Sequence, residues 1–419
     1  MRLPILMPAL SSQRYSCHGC GECCRDFTIE LRAEDFERLQ SQGWQQILGA
    51  PFWIDFGGKR WLRQREDGAC IFLGDAGRCT VHEKFGLQAK PLACQLFPFS
   101  FAPGPRHASV GISFACTSVR RSAGAELSSH QAEVIRMQSA LPEAMQRAHA
   151  PNLVRGVAAT ESEVLGVASV LDAWLANSEI EPATRLEGFV WMAQSLRIAH
   201  LAKVRGERLQ ELLQTLAQAA PQELLLLDAK PVSNAAWRMV RQAVFARVED
   251  PKIARMLRTG RCATVFSQWR RSRAWSRGVG EAPGIAGWKP ILFRDMNVVL
   301  PLFQGSESAA IDELFSRWLR ATLLASRAWG AGLYGLPIQE GIALVALNAV
   351  VAAWLATAHA ASHGRTSITL EDASAAIGRV DRSSGRAPWL GGRAERLRVI
   401  WLAHSGTLQR AAKALVYPR

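Results

Sequence analysis

The sequence has none of the short motifs that identify the common nucleotide-dependent and hydrolytic enzymes. It contains no G-x-x-x-x-G-K-[ST] phosphate loop, no G-x-S-x-G nucleophile turn and no H-E-x-x-H zinc motif. The run GAGLYG at 330–335 has the glycine spacing of a dinucleotide loop, but it comes after a predicted helix and not after a strand. We therefore interpret this run as a turn. Internal repeats and low-complexity segments are also lacking.

A good export signal is missing as well. The first 13 residues, MRLPILMPALSSQ, hold one arginine and a short apolar run that two prolines interrupt. This run is too short and too broken for the apolar region of a signal peptide. We expect a cytoplasmic protein whose cysteines are reduced.

Acidic residues are scarce in two parts of the chain, which has a formal net charge of +14. Residues 251–280 carry eight Lys or Arg and no Asp or Glu, and residues 381–419 carry eight against two. Such basic patches attract anions, so we expect a protein substrate or partner with an acidic surface. The alternative is a solvated basic face that keeps the protein soluble.

The stretch Arg270 to Arg277, RRSRAWSR, combines arginines with Trp275. Arginine and aromatic side chains together can hold a nucleic acid, but no DNA- or RNA-binding fold motif accompanies this stretch. It gives no firm nucleic-acid signal, and we expect a surface loop here.

Eight of the nine cysteines lie within the first 116 residues. They are Cys17, Cys20, Cys23, Cys24, Cys70, Cys79, Cys94 and Cys116. The first three follow C-x2-C-x2-C, a spacing that lets a tight turn direct consecutive thiolates at one metal centre. The ferredoxin motif begins in the same way, but its fourth cysteine and following proline are absent, so a fourth ligand must come from farther along the chain. Cys24 points away from its neighbour in an extended chain and is a candidate ligand of a second centre.

Several alternatives remain open for these residues. The cysteines could form disulfides, although a chain of 419 residues does not need them for stability, or they could be inert thiols. If they bind metal, zinc and an iron–sulfur cluster both fit the ligand types, in one site or in two. His82, at C-x2-H from Cys79, is the least certain ligand, and we expect His18 to be an outer hydrogen-bond donor or exposed. We predict Cys262 to be a small buried hydrophobic residue.

The cysteine blocks resemble a known family. The segments CHGCGECC at 17–24, CIFL at 70–73, CTVH at 79–82, PLACQLFP at 91–98 and the last Cys116 occur in the order seen in the CxxCxxCC cysteine-cluster proteins, the YkgJ-like group. The resemblance covers about residues 14–120 and implies chelation of zinc or iron by these blocks.

One branch of that group, the flagellin lysine N-methylases, also has a long helical C-terminal part. Similarity to this branch implies a protein-lysine N-methyltransferase that uses S-adenosylmethionine and carries a 4Fe-4S cluster. No motif in the C-terminal part of this chain can be aligned with that branch, and a Rossmann glycine loop for S-adenosylmethionine is absent. Two other functions therefore stay open: a metal-stabilised protein-binding module without catalysis, and a redox protein.

We predict an α+β fold that is mostly α. A cysteine-rich metal-binding module with short strands, residues 1–125, precedes a mainly helical bundle domain, residues 126–419. In the module we expect a strand at 27–31, a helix at 33–42 and a hairpin over 52–63. In the second part we expect a series of amphipathic helices, the last of them at 395–416.

The segment Gly341 to Ala361 has no charged residue and is long enough to cross a bilayer. It is rich in alanine and contains Asn348 and His359, so we interpret it as the central helix of a bundle and expect no membrane partner. The sequence leaves the oligomeric state open.

Overall fold

The predicted α+β class is confirmed by the computed structural model, which is 58% helix and 10% strand. The structure describes residues 3–7, 13–146, 150–226, 230–249, 256–257, 260–404 and 406–418. The short strands lie in the N-terminal part and the long helices follow them.

The strands, numbered in chain order, are β1 Ile5–Leu6, β2 Arg14–Tyr15, β3 Trp53–Phe56, β4 Lys59–Leu62, β5 Phe99–Pro103, β6 Ala108–Ile112, β7 Ala125–Glu126, β8 Asn152–Val154 and β9 Val157–Ala158. The helices are α1 Glu22–Asp26, α2 Ala33–Ser41, α3 Trp44–Leu48, α4 Thr80–Phe85, α5 Leu92–Leu96, α6 Thr117–Arg120, α7 Gln131–Ala140, α8 Glu143–Gln146, α9 Glu161–Ala176, α10 Pro182–Ile198, α11 Glu207–Leu226, α12 Asn234–Val248, α13 Arg261–Arg277, α14 Ser308–Leu324, α15 Ile338–Ser362, α16 Leu370–Ser383, α17 Arg393–His404 and α18 Thr407–Val416.

The sheets are small. One has three strands in the order β1-β6-β5, with β1 parallel to β6 and β5 antiparallel to it. The predicted hairpin is β3 and β4, and it turns at Gly57 and Gly58, whose positive φ angles of 63° and 74° match a primed two-residue turn. The predicted strand at 27–31 contributes only an isolated bridge, between Glu30 and Trp61.

A small hydrophobic core holds the cysteine-rich part together. It is built from residues of α2, α3, the hairpin and the segments around Cys70 and α4, namely Leu31, Leu39, Trp44, Phe52, Leu62, Cys70, Phe72, Val81 and Ala89. Because residues between positions 31 and 89 supply all of it, this core is separate from the one that the long helices form.

The large core surrounds α15. Every residue of this helix from Ile338 to Ala361 is buried, and it contacts α10, α16 and α18. This helix alone among the described residues is long and apolar enough to cross a membrane, and its apolar surface is covered by the protein itself. Residues of the three-stranded sheet, among them Phe99, Val110 and Ile112, also belong to this core. The predicted boundary near residue 125 remains a prediction.

Several helices begin at a residue whose side chain caps the first turn. Ser233 caps α12, and Thr160 and Thr369 each form a capping box with the acid three residues later. The single helix predicted at 395–416 is wrong. It is divided into α17 and α18 by Gly406, whose φ of 68° lies outside the helical range and requires glycine.

The expectations for Arg270–Arg277 and Cys262 are also wrong. The arginine-rich stretch is not a loop but the last part of α13, and Trp275 is fully buried and therefore cannot stack on a base. Cys262 is exposed. The reason is helical geometry: the two buried residues of α13, Thr264 and Trp275, share one face, and Cys262 lies about 200° around the helix from Thr264.

Candidate metal centre

The loop that carries the first four cysteines is shaped by two glycines. Gly19 and Gly21 have φ angles of 65° and 72°, which L-amino acids with side chains rarely adopt. A Cβ atom at Gly21 would also lie only 2.8 Å from the carbonyl oxygen of Gly77. The glycines therefore let the 17–24 loop pack closely against the turn that precedes Cys79.

Backbone contacts bring Cys70 and Cys79 close to the loop that carries the first four cysteines. The Cys70 N–H donates to the carbonyl of Cys24 at 2.7 Å. Beyond Cys70 the chain turns over LGDAGR, and an isolated bridge joins Leu73 to Cys79. This turn places Cys70 and Cys79 on the wall of one cavity.

Cys94 is positioned by a buried carboxylate. It lies in the short helix α5, and Asp35 from α2 accepts a hydrogen bond from the first N–H of that helix, at Leu92, over 3.0 Å. Asp35 is only 1% exposed and is paired with Arg38 and Arg32. The small core thus fixes the helix that presents Cys94.

Cys116 is linked to the first loop from the other side. It precedes α6, and two residues of that helix, Thr117 and Arg120, hydrogen-bond to the Glu22 side chain inside the 17–24 loop. Arg120 is 3.3 Å from the Glu22 carboxylate. These contacts place Cys116 next to Cys20, as their mutual electrostatic effect also indicates.

The eight cysteines form two neighbouring groups. The inner group lines a cavity of about 420 Å³ and comprises Cys23, Cys24, Cys70, Cys79 and Cys94. We call the other three cysteines, Cys17, Cys20 and Cys116, the outer group, because they do not line this cavity. Cys23 connects the two groups, and its Sγ atom is 4.0 Å from that of Cys24. All nine cysteines of the chain are described, and all are free thiols.

Neither histidine of the cysteine blocks lies among the cavity-lining residues. His82 is on α4 with an exposed side chain, and His18 is exposed in the first loop. The expectation that His18 is either an outer donor or exposed therefore agrees with its exposure, and a role for His82 as a ligand remains a prediction.

Burial keeps the thiols protonated in the absence of a cation. It raises the pKa of Cys70 and of Cys94 to about 12 and that of Cys116 to about 11. The pKa of Cys23 is also raised, first by its hydrogen bond with Cys24 and then by burial. Because metals bind thiolates, a metal entering this site must displace these protons, which makes its affinity depend on pH.

A lysine lies among the inner thiols. Lys90 lines the same cavity, and no carboxylate of the described residues lies within ion-pair distance of its ammonium group. Burial alone lowers the pKa of Lys90, but the thiols of Cys94, Cys79, Cys23 and Cys24 outweigh burial and raise it. Lys90 is half-buried and has no acidic partner among the described residues, so its position fits a site in which nearby sulfurs carry negative charge.

No three cysteine sulfurs of the described residues lie within 4.8 Å of one another, although those of Cys23 and Cys24 are 4.0 Å apart. Among the described residues, one group of three His, Cys, Asp or Glu side chains has all its ligand atoms within 4.8 Å of one another, and it contains no cysteine. A tetrahedral zinc ion, with bonds about 2.3 Å long, holds its four sulfurs about 3.8 Å apart. A cluster of several iron atoms separates its cysteine sulfurs further.

The compact group without cysteine is His359, His363 and Asp372. Asp372 already accepts hydrogen bonds from His359, Arg365 and Thr369, and it forms the capping box of α16. The carboxylate oxygens of Asp372 already accept the hydrogen bonds that cap this helix, so we interpret the group as a helix cap and not as a metal site.

Comparison with known proteins supports the cysteine-rich part as the metal site. Residues 16–123 match the family model CxxCxxCC, described as a putative zinc- or iron-chelating domain. This stretch, residues 16–123 of 419, is similar to that domain, and we refer to it as the CxxCxxCC domain. The family predicted from the cysteine blocks is therefore confirmed, and its methylase branch is not shown. Searches of the curated proteins and of the solved structures gave no significant match.

The CxxCxxCC domain contains all eight clustered cysteines and leaves out Cys262. Zinc or iron chelation is what the match supports. The sequence analysis did not identify three basic residues of the cavity: Lys90, which lies four residues before Cys94 in KPLAC, and Arg327 and Arg386, which come from the helical part of the chain. The nearness of Lys90 to a cysteine block was a usable signal, whereas nothing local marks Arg386.

Proposed function

We propose that this protein is an iron–sulfur protein whose CxxCxxCC domain binds its metal through the clustered cysteines. The observation that carries the proposal is the inner group of five thiols, which line one cavity together with Lys90, a half-buried cation that anionic sulfurs would stabilise. The wide spacing of the sulfurs favours a polynuclear cluster, such as 4Fe-4S, over a single zinc ion.

We further propose two centres with four cysteine ligands each. Cys23 belongs by its C-x2-C-x2-C spacing with the outer group, which then comprises Cys17, Cys20, Cys23 and Cys116. The other centre takes Cys24, Cys70, Cys79 and Cys94. When bound, such clusters supply electron transfer or Lewis acidity.

The test is metal analysis of protein purified without oxygen. We expect a brown protein that contains iron and sulfide in equal amounts. Cys94→Ser and Cys20→Ser should each remove about half of the iron, and the double variant nearly all of it, while Cys262→Ser changes nothing. Stoichiometric zinc without iron would contradict the cluster. Loss of all iron in each single variant would contradict two independent centres.

A second candidate is S-adenosylmethionine-dependent methylation of protein lysines. The observation that favours it is the cavity itself, because about 420 Å³ suits a drug-sized ligand and aromatic rings form part of its wall. Phe27, Phe97, Phe99 and Phe101 can attract a sulfonium cation through their π faces. Calorimetric titration of metal-replete protein is the test, and absence of heat and of a thermal shift at millimolar S-adenosylmethionine would exclude this activity.

A surface on α13 supports the proposed acidic protein partner. Phe266 and Trp269 are 59% and 55% exposed, and their rings stack with centroids 5.8 Å apart. Arg261, Arg270 and Arg273 are exposed on the same helix. Exposed aromatic side chains next to arginines are typical of binding hot spots, and the positive charge selects an acidic partner.

The remaining functions follow from outcomes of the same tests. If the metal is bound and S-adenosylmethionine is not, a metal-stabilised binding module that uses the α13 surface takes precedence. Reversible one-electron reduction at physiological potentials would instead favour a redox protein.

A further inference from the structure

The cavity next to the inner thiols has a cationic end that neither metal binding nor the aromatic wall requires. The cysteines and Lys90 line one part of it, whereas Arg327, Ser384, Gly385 and Arg386 come from the helical part of the chain. The cavity therefore lies between the CxxCxxCC domain and the helices.

We propose that this cavity binds a small organic anion with an apolar body, and that Arg386 holds the anionic group. The two arginines at the cationic end differ in their partners. Arg327 donates to the Asp381 carboxylate at 3.2 Å and to the Ile112 carbonyl at 2.8 Å, so its charge is neutralised. Asp381 also accepts hydrogen bonds from Ser113 and Trp318 and is buried.

Arg386 has only neutral acceptors. Its Nη1 donates to Ser113 Oγ at 3.3 Å and to the main-chain carbonyl of Asp381 at 3.2 Å. Arg386 is an exposed residue, and its Nε and Nη2 form no hydrogen bond with a described residue. No described carboxylate lies within 4 Å of its guanidinium, although the Asp381 carboxylate, which pairs with Arg327, also acts on it electrostatically. Its guanidinium is 5.2 Å from the ring centroid of Phe27, which also lines the cavity. Phe27 thus supports the guanidinium and leaves two donors for a ligand.

A second polar group of the wall also lacks a partner. Ser100 Oγ is buried and forms no hydrogen bond with any described residue. Because less than 1 Å² of this oxygen is accessible, it lies behind the cavity surface, and we do not count it among the ligand contacts.

The rest of the wall defines the body of the ligand. Apolar side chains predominate there, among them Leu62, Leu96, Phe97, Phe99, Phe101 and Met145. A metal centre at the cysteines would occupy part of the 420 Å³, and the remainder suits a small molecule and excludes a folded partner. A carboxylate or sulfonate on an aromatic or aliphatic frame meets these conditions. S-adenosylmethionine, which has a carboxylate, is one member of this class, but the proposal does not depend on it.

The experiment compares two probes of nearly equal shape, 2-naphthoate and the neutral 2-naphthamide, by calorimetry on metal-replete protein. We expect 2-naphthoate to bind at one saturable site. Arg386→Gln should weaken 2-naphthoate by about tenfold or more and leave 2-naphthamide unchanged, because only the charged hydrogen bonds are lost. Arg386→Lys keeps the charge and should retain most of the affinity for 2-naphthoate.

Arg294→Gln is the matched control. It removes an arginine whose side chain is 84% exposed and which does not line the cavity, so it should bind both probes as the wild type does. Unchanged 2-naphthoate binding in Arg386→Gln would overturn the proposal. An equal loss of affinity for both probes in Arg386→Gln and Arg386→Lys would also overturn it, because that result would show that Arg386 stabilises the fold and does not bind the ligand.

Iron analysis of the same samples separates this proposal from the proposed function. All the Arg386 variants should keep their metal. If S-adenosylmethionine fails to bind but Arg386→Gln still weakens 2-naphthoate and not 2-naphthamide, the methylation proposal is wrong and the anion site is supported. If metal is bound and the discrimination is absent, only the anion site falls.

Discussion

Lys90 is the residue whose surroundings say most about the charge of the metal site. Its ammonium group has four cysteines around it and no acidic partner among the described residues. A positive charge near a cluster stabilises the reduced state, which carries one more electron, and so raises the reduction potential.

We therefore expect Lys90→Met to lower the midpoint potential of the centre by an amount on the order of 100 mV, as one charge at an effective dielectric constant of about 20 would. Lys84→Met is the control, because Lys84 belongs to the same domain but is exposed and packs over the Trp44 ring. Redox titration of both variants by optical spectroscopy is the measurement. Equal potentials in Lys90→Met and the wild type would show that Lys90 does not act on the centre.

At the level of single residues, the sequence predicted those features that depend on residues near each other in the chain. The cysteine blocks and the turn between Cys70 and Cys79 follow from nearby residues, and so do the capping residues. The partners of Arg386 could not be predicted, because Ser113 is 273 positions away in the chain. Cys262 was misassigned since a lone cysteine carries no sign of the helix face on which it lies.

Among the elements, α16 depends strongly on its first turn. Asp372 is fully buried and accepts hydrogen bonds from His359, Arg365 and Thr369. Burial by itself raises the pKa of Asp372, but these hydrogen bonds outweigh it and lower the pKa to about 2, from 3.8. A carboxylate with a depressed pKa stabilises the fold above its unfolded pKa, and this contribution is lost as the pH falls through the folded value.

We expect Asp372→Asn to lower the free energy of unfolding by about 2 kcal/mol at neutral pH. The difference from the wild type should be constant above about pH 4 and should shrink as the pH falls towards 2. Urea unfolding followed by circular dichroism measures it. Asp55→Asn removes a carboxylate whose side chain is 68% exposed and is expected to cost less than about 0.5 kcal/mol. A pH-independent deficit in Asp372→Asn would show that the lost charge is not the cause.

Element boundaries show where local signals end. The start of α16 is set locally, because Thr369 and Asp372 make its capping box within four positions of the chain. The division of 395–416 at Gly406 was not predicted, since both halves continue the same helical pattern and the break is set by the packing of α18 against α10. The sequence predicted that α15 is a core helix and not a membrane span, because Asn348 and His359 are polar residues that can find hydrogen-bond partners inside a protein.

In the whole molecule, two hydrophobic cores of unequal size stand beside the cysteine groups. The small core draws on residues between Leu31 and Ala89 only, and the cysteines of the inner group border it. The large core surrounds α15 and needs no residue of the small one. A small core rarely supplies enough stability alone, whereas metal binding contributes its free energy directly to the fold that forms the site.

Loss of the inner metal ligands should therefore unfold one part of the molecule and leave the other intact. We expect Cys94→Ser to abolish amide hydrogen-exchange protection across residues 31–89 and to preserve it in α15, since local stability follows local contacts. Cys262→Ser, the same change at an exposed site outside the domain, should leave both regions protected. Hydrogen exchange with mass spectrometry resolves the two regions in a single experiment. Uniform loss of protection would mean that the two cores fold as one unit, and unchanged protection would mean that Cys94 is not a structural ligand.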